Sequence, residues 1–397
     1  MDLSFGPENE AFRETVRGFL GETWRPIGLK GPELGAYIKA FRKQAIDAGY
    51  LYRGIPKRYG GSEQAPDVLK AQVIRDEFAR ARAPAEVPGL GNMMLVPTLL
   101  ERGEDWQKEK FVPPTVAGDI LWAQGYSEPG AGSDLASVRT RGVLDGDKWL
   151  ISGQKIWTSQ ADRAHFMFAL IRTEPDAPKH QGISYLLIDL KQPGITIRPL
   201  RQMTGGAEFC EVFFDNATTP ADWIVGRRGE GWNVSRSTLK HERASIGNAD
   251  RSEELVRKLV ELARESTRFG RPAIEDREIR QDLAALEGWA LAHKYSAFRQ
   301  FSLAAEDREP GLIALLMKLM VTDIGHEAAR IAQELIAEDA LLQPAPPGTR
   351  GRGREKWQDQ IMGSLGVSIA GGASNIQRNI IAERGLGLPR DTTGADT

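Results

Sequence analysis

Residues Trp122-Ala-Gln-Gly-Tyr-Ser-Glu-Pro-Gly-Ala-Gly-Ser-Asp-Leu-Ala-Ser137 crowd glycines, hydroxyls and acids into one stretch. Such a run suits neither a strand nor a helix. It suits a tight loop whose backbone N–H groups and hydroxyls face something anionic or polar. A second stretch, Gly153-Gln-Lys-Ile-Trp-Thr-Ser159, sets a tryptophan beside two hydroxyls. That combination can cover a flat ring and bond its edge. Together the two stretches predict a planar cofactor with phosphates. A third candidate is Glu242, which on a helix shares a face with Leu239, Ile246 and Ala249. A glutamate on an apolar stripe is costly unless it is paired or functional. Its immediate neighbour Arg243 cannot supply the pair, because adjacent helical residues do not face each other; an arginine elsewhere can.

These groups need elements to hold them. Up to about Gly118 the pattern is helical, with Phe12, Val16, Phe19 and Leu20 on one stripe and a second periodic stretch from Val68 to Phe78. Asp2 and Ser4 suit N-caps, and Pro7 suits a first helical turn. From about Ile120 to Gly229 the period becomes two. Asp145-Gly146 predicts a hairpin turn between Thr140–Leu144 and Lys148–Ser152. Phe166–Ile171, Ser184–Leu190 and Glu208–Phe214 are further strand candidates. Beyond Gly231 the spacing predicts long helices over Trp232–Phe269, Glu278–Ala305 and Gly311–Ala340. A proline- and glycine-rich loop at 344–353 follows, then a last helix from Ser374 to before Gly385. The expected fold class is α+β with an N-terminal helical domain (1–119), a central β-barrel or sandwich domain (120–229) and a C-terminal four-helix bundle (230–397).

Bulk composition narrows the function. Lysine plus arginine (52) nearly balances aspartate plus glutamate (54), so no global field recruits nucleic acid or an anionic membrane. The single cysteine, Cys210, forms no internal disulfide and fits a reducing compartment. No apolar run is long enough to span a bilayer, and the N-terminus lacks a signal-peptide pattern. A cytoplasmic protein is expected. The histidines at 165, 180, 241, 293 and 326 are scattered, so no metal site is expected. Met317 and Met320, with Leu316 and Leu319, read as bundle core, and His326 as a core or interface histidine.

Ser127-Glu-Pro-Gly-Ala-Gly-Ser-Asp134, Gln154-Lys-Ile-Trp157, Phe269-Gly270 and Ser374-Asn-Ile-Gln-Arg-Asn-Ile-Ile-Ala-Glu-Arg384 lie in the order and spacing of one family. The chain resembles the acyl-CoA dehydrogenases, flavoproteins that use FAD, over essentially its whole length. The resemblance implies that Gln124, Tyr126 and Ser127 line the flavin ring edge, that Trp157 packs near the ring, and that Thr158 or Ser159 bonds its redox-active nitrogen. Gly132 and Ser133 belong to the cofactor loop, and Ser133 also contacts the thioester ligand. Arg268 and Phe269 would serve the cofactor's pyrophosphate, although the family's arginine falls three residues before the phenylalanine, where this chain has Ser266. Arg264 is the other substitute. Gly371, Ser374 and Asn375 complete the implied cofactor set, and Arg243 resembles the arginine near bound CoA.

Many members carry their catalytic glutamate where this chain has Gly371. Glu242 instead matches the helix position from which isovaleryl-CoA and long-chain acyl-CoA dehydrogenases supply their base. The implied activity is α,β-dehydrogenation of an acyl-CoA thioester, with electrons passed to an electron-transfer flavoprotein. The string Gln124–Ser137 resembles a bacterial subgroup acting on bulky, branched or steroid-type acyl chains, some as α2β2 tetramers rather than homotetramers. Two alternatives are a flavin oxidase or monooxygenase on the same fold, and a non-catalytic partner subunit of a heterotetrameric dehydrogenase. The family's glutamine–glycine–glycine stretch for the adenine half is replaced by the loop at 344–353.

Overall fold

The computed structural model describes residues 5–306, 308–309, 311–342 and 355–389. It packs as two compact units, Met1–Arg198 with Phe209–His241, and Pro199–Glu208 with Glu242–Thr397. The expected caps at Asp2 and Ser4 and the loop at 344–353 lie outside the described residues.

The first unit opens with α1 (Gly6–Thr23), α2 (Gly31–Asp47), α3 (Val68–Ala81), α4 (Val96–Arg102) and α5 (Asp105–Ala117). Pro7 stands in the first turn of α1, and Val16 and Leu20 from the predicted stripe are buried. Helix α3 starts where the Asp67 carboxylate accepts the Lys70 N–H, a side-chain cap for an otherwise orphaned donor. Glu77 on α3 is 2% exposed and survives there because three guanidiniums converge on it. Arg80 Nε lies 2.7 Å, Arg17 Nε 2.9 Å and Arg13 Nη1 3.1 Å from its oxygens.

Burial pushes the Glu77 carboxyl up, but the hydrogen bonds from Arg17, Arg13 and Arg80 outweigh it and bring the group from 4.5 down to about 2. A carboxylate whose folded value is depressed stabilises the fold fully above its unfolded value, and that contribution fades as pH falls through the folded one. Between pH 4.5 and 2 the wild type should therefore lose on the order of 3 kcal/mol from this group. Glu77→Gln should lower the urea midpoint at pH 7 and show a smaller further loss at pH 3.5 than wild type. Equal acid sensitivity in the two proteins would remove Glu77 from the account.

Eight strands follow: β1 (Trp122–Gly125), β2 (Arg141–Asp145), β3 (Lys148–Ser159), β4 (Phe166–Arg172), β5 (Ile183–Asp189), β6 (Ile195–Leu200), β7 (Phe209–Pro220) and β8 (Ile224–Val225). They form one open sheet, β6-β7-β3-β2-β4-β5-β8, with β1 parallel to β4. No closed barrel forms among the described residues. Strand β4 is covered on both faces. Phe168 and Leu170 join the helical core with Phe111 and Trp122, whereas Met167, Ala169 and Ile171 pack with Trp149, Ile151 and Val212. Double-sided burial explains why β4 and β5 read as continuous apolar runs rather than alternating ones. The β2–β3 hairpin turns one residue later than its sequence suggested. Asp145 pairs with Lys148, leaving Gly146-Asp147 as the loop with Gly146 at φ 62°. A glycine with positive φ at the first central position is the type II′ requirement, so the glycine's place selected the register.

The long helix expected over Trp232–Phe269 is three elements. Helix α6 (Gly231–Ile246) ends at Gly247-Asn248, and α7 (Asp250–Glu265) restarts where Asn248 Oδ1 accepts the Asp250 N–H. A two-stranded hairpin, β9 (Thr267–Arg268) with β10 (Arg271–Pro272), then turns at Phe269-Gly270. Ala249, expected on the Glu242 face, is therefore beyond the end of α6. Helices α7, α8 (Arg277–Ala305), α9 (Leu312–Ile336) and α10 (Glu355–Val367) pack around Leu259, Leu286, Ile324 and Ile331, with Trp357 and Ile361 at the margin. The last helix is α11 (Ser374–Ile380). Met317 and Leu319 are buried as expected, but Leu316 is 40% exposed. His326 is exposed rather than core and meets the Ser364 carbonyl.

Candidate active site

The two glycine- and hydroxyl-rich stretches meet in the first unit. Ile156 N–H donates to Ser127 O at 2.9 Å, and the Glu128 and Ala131 backbones bond each other to close the turn between them. Behind this turn lies Lys155, fully buried. Its Nζ donates to Glu128 Oε1 at 2.7 Å, to Leu170 O at 2.6 Å and to Tyr126 O at 3.2 Å. Glu128 in turn accepts the backbone N–H groups of Arg139 (2.6 Å) and Thr140 (2.9 Å). Burial pushes the Lys155 ammonium down to about 8, with Glu128 pulling the other way. Burial also raises Glu128, but Lys155, Thr140 and Arg139 hold it below its usual range. The pair is ionised at neutral pH. It braces three backbone segments at once, a role invisible in the sequence because the partners lie on separate motifs.

Past Lys155 the β3–β7 register slips, Lys155 facing Val212 while Thr158 faces Cys210. The bulge places Trp157 at φ 59° and turns its ring outward, 58% exposed and edge-on to Phe209. A core aromatic on a strand would do the opposite. Bulges re-aim side chains in this way, and the strained φ at a large residue marks a constrained site. Thr158 is buried with Oγ1 lacking a hydrogen-bond partner. Ser159 is half-buried and opens on a cavity of ≈ 260 Å³ lined by Leu90, Met93 and Trp122 among others. Gln124 and Ser127 are half-buried, Tyr126 is buried, and Gly132 and Ser133 are exposed. This surface suits a flat polar ring: an outward aromatic, accessible hydroxyls, and an enclosed hydroxyl left without a partner. The residues present fit a flavin.

Helix α6 positions Glu242. Its first turns are anchored by buried hydroxyls, Thr238 Oγ1 lying 2.9 Å from Thr98 Oγ1 and 3.3 Å from Tyr185 Oη. Arg102 Nε donates to Ser237 Oγ, and His241 Nε2 meets Glu101. No spacing rule reveals this network, because its members come from α4, β5 and α6. Glu242 follows directly and is half-buried. The side chain of Arg243 lies outside the described residues.

In the second unit, Gly371 and Gly372 both take positive φ, 62° and 94°. Their turn is tied off at Ser368 O, which accepts Ser374 N–H at 2.9 Å, Ser374 Oγ at 3.3 Å and Lys318 Nζ at 3.3 Å. Lys318 is 2% exposed and was not among the sequence candidates. Asn375 accepts from Arg378 at 3.3 Å. Arg268 is not poised at a free helix end. It lies in the β9–β10 hairpin, 2.8 Å from Glu278, 3.5 Å from Asp276 and 3.7 Å from Glu334. Phe269 beside it, at φ 52°, is 88% exposed. Ser266, at the family arginine's position, is buried with Oγ lacking a partner. Arg264 is exposed on α7. Among the described residues no group of histidine, cysteine and carboxylate side chains could hold a metal, and no helix is long and apolar enough to cross a membrane.

Comparison with known proteins extends these observations. The acyl-CoA dehydrogenase N-terminal domain matches residues 6–119, the middle domain 123–217 and the C-terminal domain 229–386. The chain is 39% identical over 398 residues to acyl-CoA dehydrogenase IpdE1 of Mycobacterium tuberculosis, covering 97% of this chain and 99% of that protein. Among solved structures, it is similar to the ChsE4-ChsE5 complex from Mycobacterium tuberculosis (TM-score 0.77, 30% identity, 98% of this chain and 100% of that one). It is also similar to the Tcur3481-Tcur3483 steroid acyl-CoA dehydrogenase (TM-score 0.78, 29% identity, 98% and 100%). With the braced ring-edge surface, the three domain matches in order and relatives aligned nearly end to end, this chain belongs to the acyl-CoA dehydrogenase family and is an oxidoreductase of that kind.

Proposed function

We propose that the chain catalyses FAD-dependent α,β-dehydrogenation of an acyl-CoA thioester whose acyl part is bulky, branched or steroid-type. The observation that carries this reading is a complementary pair: no side chain at Gly371, and a half-buried carboxylate at Glu242 on an anchored helix. The similar structure named as a steroid acyl-CoA dehydrogenase supports the substrate class. Gln124, Tyr126, Ser127, Gly132, Ser133, Trp157 and Ser159 would hold the flavin, with Phe269, Ser374 and Asn375 completing the set. Of the two hydroxyls after Trp157, Ser159 suits the redox-active nitrogen because it opens on the cavity. When bound, FAD would take the hydride from the β-carbon, and its electrons would pass to an electron-transfer flavoprotein.

Glu242 takes the α-proton. Proton abstraction beside a thioester needs a carboxylate held at the α-carbon and shielded enough from water to be basic. The backbone N–H at Gly371 polarises the thioester carbonyl, and its turn is held open by the Ser368 knot. Arg243 and Ser133 contact the CoA portion. The division into domains at 1–119, 120–229 and 230–397 and a cytoplasmic location belong to the same reading.

A specific observation favours an α2β2 assembly over a homotetramer. Ser266 replaces the pyrophosphate arginine, and Arg268 is engaged by three carboxylates. Identical copies would leave each flavin site only the exposed Arg264 for that guanidinium fork, whereas a partner of different sequence can supply an arginine at the family position. The test is spectroscopic. The purified protein, alone or with a co-expressed partner, should be yellow and should bleach anaerobically on adding a steroid-type acyl-CoA. A protein that stays colourless with FAD under both conditions would overturn the reading. Bleaching only by straight-chain thioesters would overturn the substrate class alone.

A further inference from the structure

We propose that Lys155 is a positioning residue that tunes the flavin through the Tyr126–Ser127 peptide, its ammonium polarising that peptide so that the Ser127 N–H favours the reduced, electron-rich ring. The inference rests on the ring-edge role given to Ser127 above. Three observations carry it. The Lys155 side chain is fully buried, and its Nζ donates to the Tyr126 carbonyl at 3.2 Å. That carbonyl belongs to the same peptide group as the Ser127 N–H. The far side of Ser127 is fixed by Ile156 N–H at 2.9 Å, so the peptide cannot simply rotate to relax.

The physical chain is short. A donor charge on a carbonyl oxygen draws electron density along the amide and makes its N–H a stronger donor, and hydrogen bonds in series reinforce one another. Inside a protein the effect is weakly screened. Reduction places negative charge on the pyrimidine side of a flavin, the edge that the family resemblance gives to Ser127, so a stronger donor there binds the reduced form more tightly than the oxidised one. Glu128 offsets part of the ammonium's field, but its carboxylate bonds Lys155 and the N–H groups of Arg139 and Thr140 rather than the Tyr126–Ser127 peptide. Removing a pair that served only to hold the loop would leave the ratio of the two affinities unchanged.

The test replaces both charges, Lys155→Met with Glu128→Gln, so that no buried ion is left unpaired. Flavin affinity in each redox state and the reduction potential are measured anaerobically with FAD alone, beside thermal unfolding. The expected result is a folded, flavin-binding variant whose potential moves negative, with reduced FAD bound about tenfold less tightly relative to oxidised FAD. A folded variant with the wild-type potential overturns the inference and leaves the flavin site intact. If the double variant does not fold, Lys155→Gln with Glu128 retained is judged by the same criterion. Failure of both to fold makes the pair a folding strut and also overturns the tuning role. Wild-type protein that takes up no FAD refutes the flavin reading itself, which is a separate outcome.

Discussion

Glu242→Gln should abolish substrate-driven flavin bleaching while leaving the yellow spectrum of the protein unchanged. Glutamine keeps the size and hydrogen-bonding reach of the side chain but cannot accept the α-proton. Loss of a positioned general base costs roughly 10²- to 10⁴-fold in rate, equivalent to about 3–5.5 kcal/mol of barrier. The loss should fall on kcat, because the interaction removed is made in the transition state. Glu242 sits four residues, about one helical turn, beyond Thr238 on the same helix, and glutamine keeps the side chain's shape, so the backbone at 242 should be undisturbed. Stopped-flow absorbance with a bound thioester gives the reductive half-reaction directly. Wild-type bleaching rates in the variant would remove Glu242 from catalysis and leave the family assignment standing.

Lys155→Met alone should destabilise the first unit by about 3–5 kcal/mol, the usual cost of stranding one partner of a buried ion pair. Methionine fills the volume but leaves the buried Glu128 carboxylate with its backbone donors and only the Arg172 guanidinium, to which it has no direct bond, as counter-charge. It also leaves the Leu170 and Tyr126 carbonyls without the ammonium that now bonds them. Adding Glu128→Gln should recover much of the loss, since a neutral amide needs no counter-ion. Urea unfolding of the wild type, the two single variants and the double variant yields the coupling energy as a double-mutant cycle. Additive losses would mean that the two side chains stabilise the fold independently.

Much of the fold was legible in the chain. The stripe at Val16 and Leu20, the periodic stretch Val68–Phe78 within α3 and the strands at 166–172 and 183–189 follow from periodicity and apolar runs. Periodicity reports only which residues share a face, so it missed where helices end. The helix expected to run unbroken from Trp232 to Phe269 stops at Ile246, restarts at Asp250 and ends at Glu265, and a short hairpin takes its last residues. The hairpin at Gly146 shifted by one residue for a related reason. Asp145-Gly146 and Gly146-Asp147 were both available as the turn, and the type II′ geometry, with positive φ on Gly146 at its first central position, selected the second and with it the register.

The candidate site divides along the same line. Residue types and their local spacing determined its chemistry: a ring-edge loop at Ser127–Ser133, a tryptophan between polar neighbours, a glutamate on a helix and none at Gly371. Those are short-range facts, written in neighbouring residues. Whether Trp157 would face the core or outward depended on a bulge that exists only when β3 pairs with β7. That Lys155 and Glu128 are one object, and that Arg268 is held by Asp276, Glu278 and Glu334, depended on segments brought together by folding. Charge and hydrogen bonding act over a few ångströms of space, not over positions in a chain, so only the tertiary structure decided which groups remain available for a ligand.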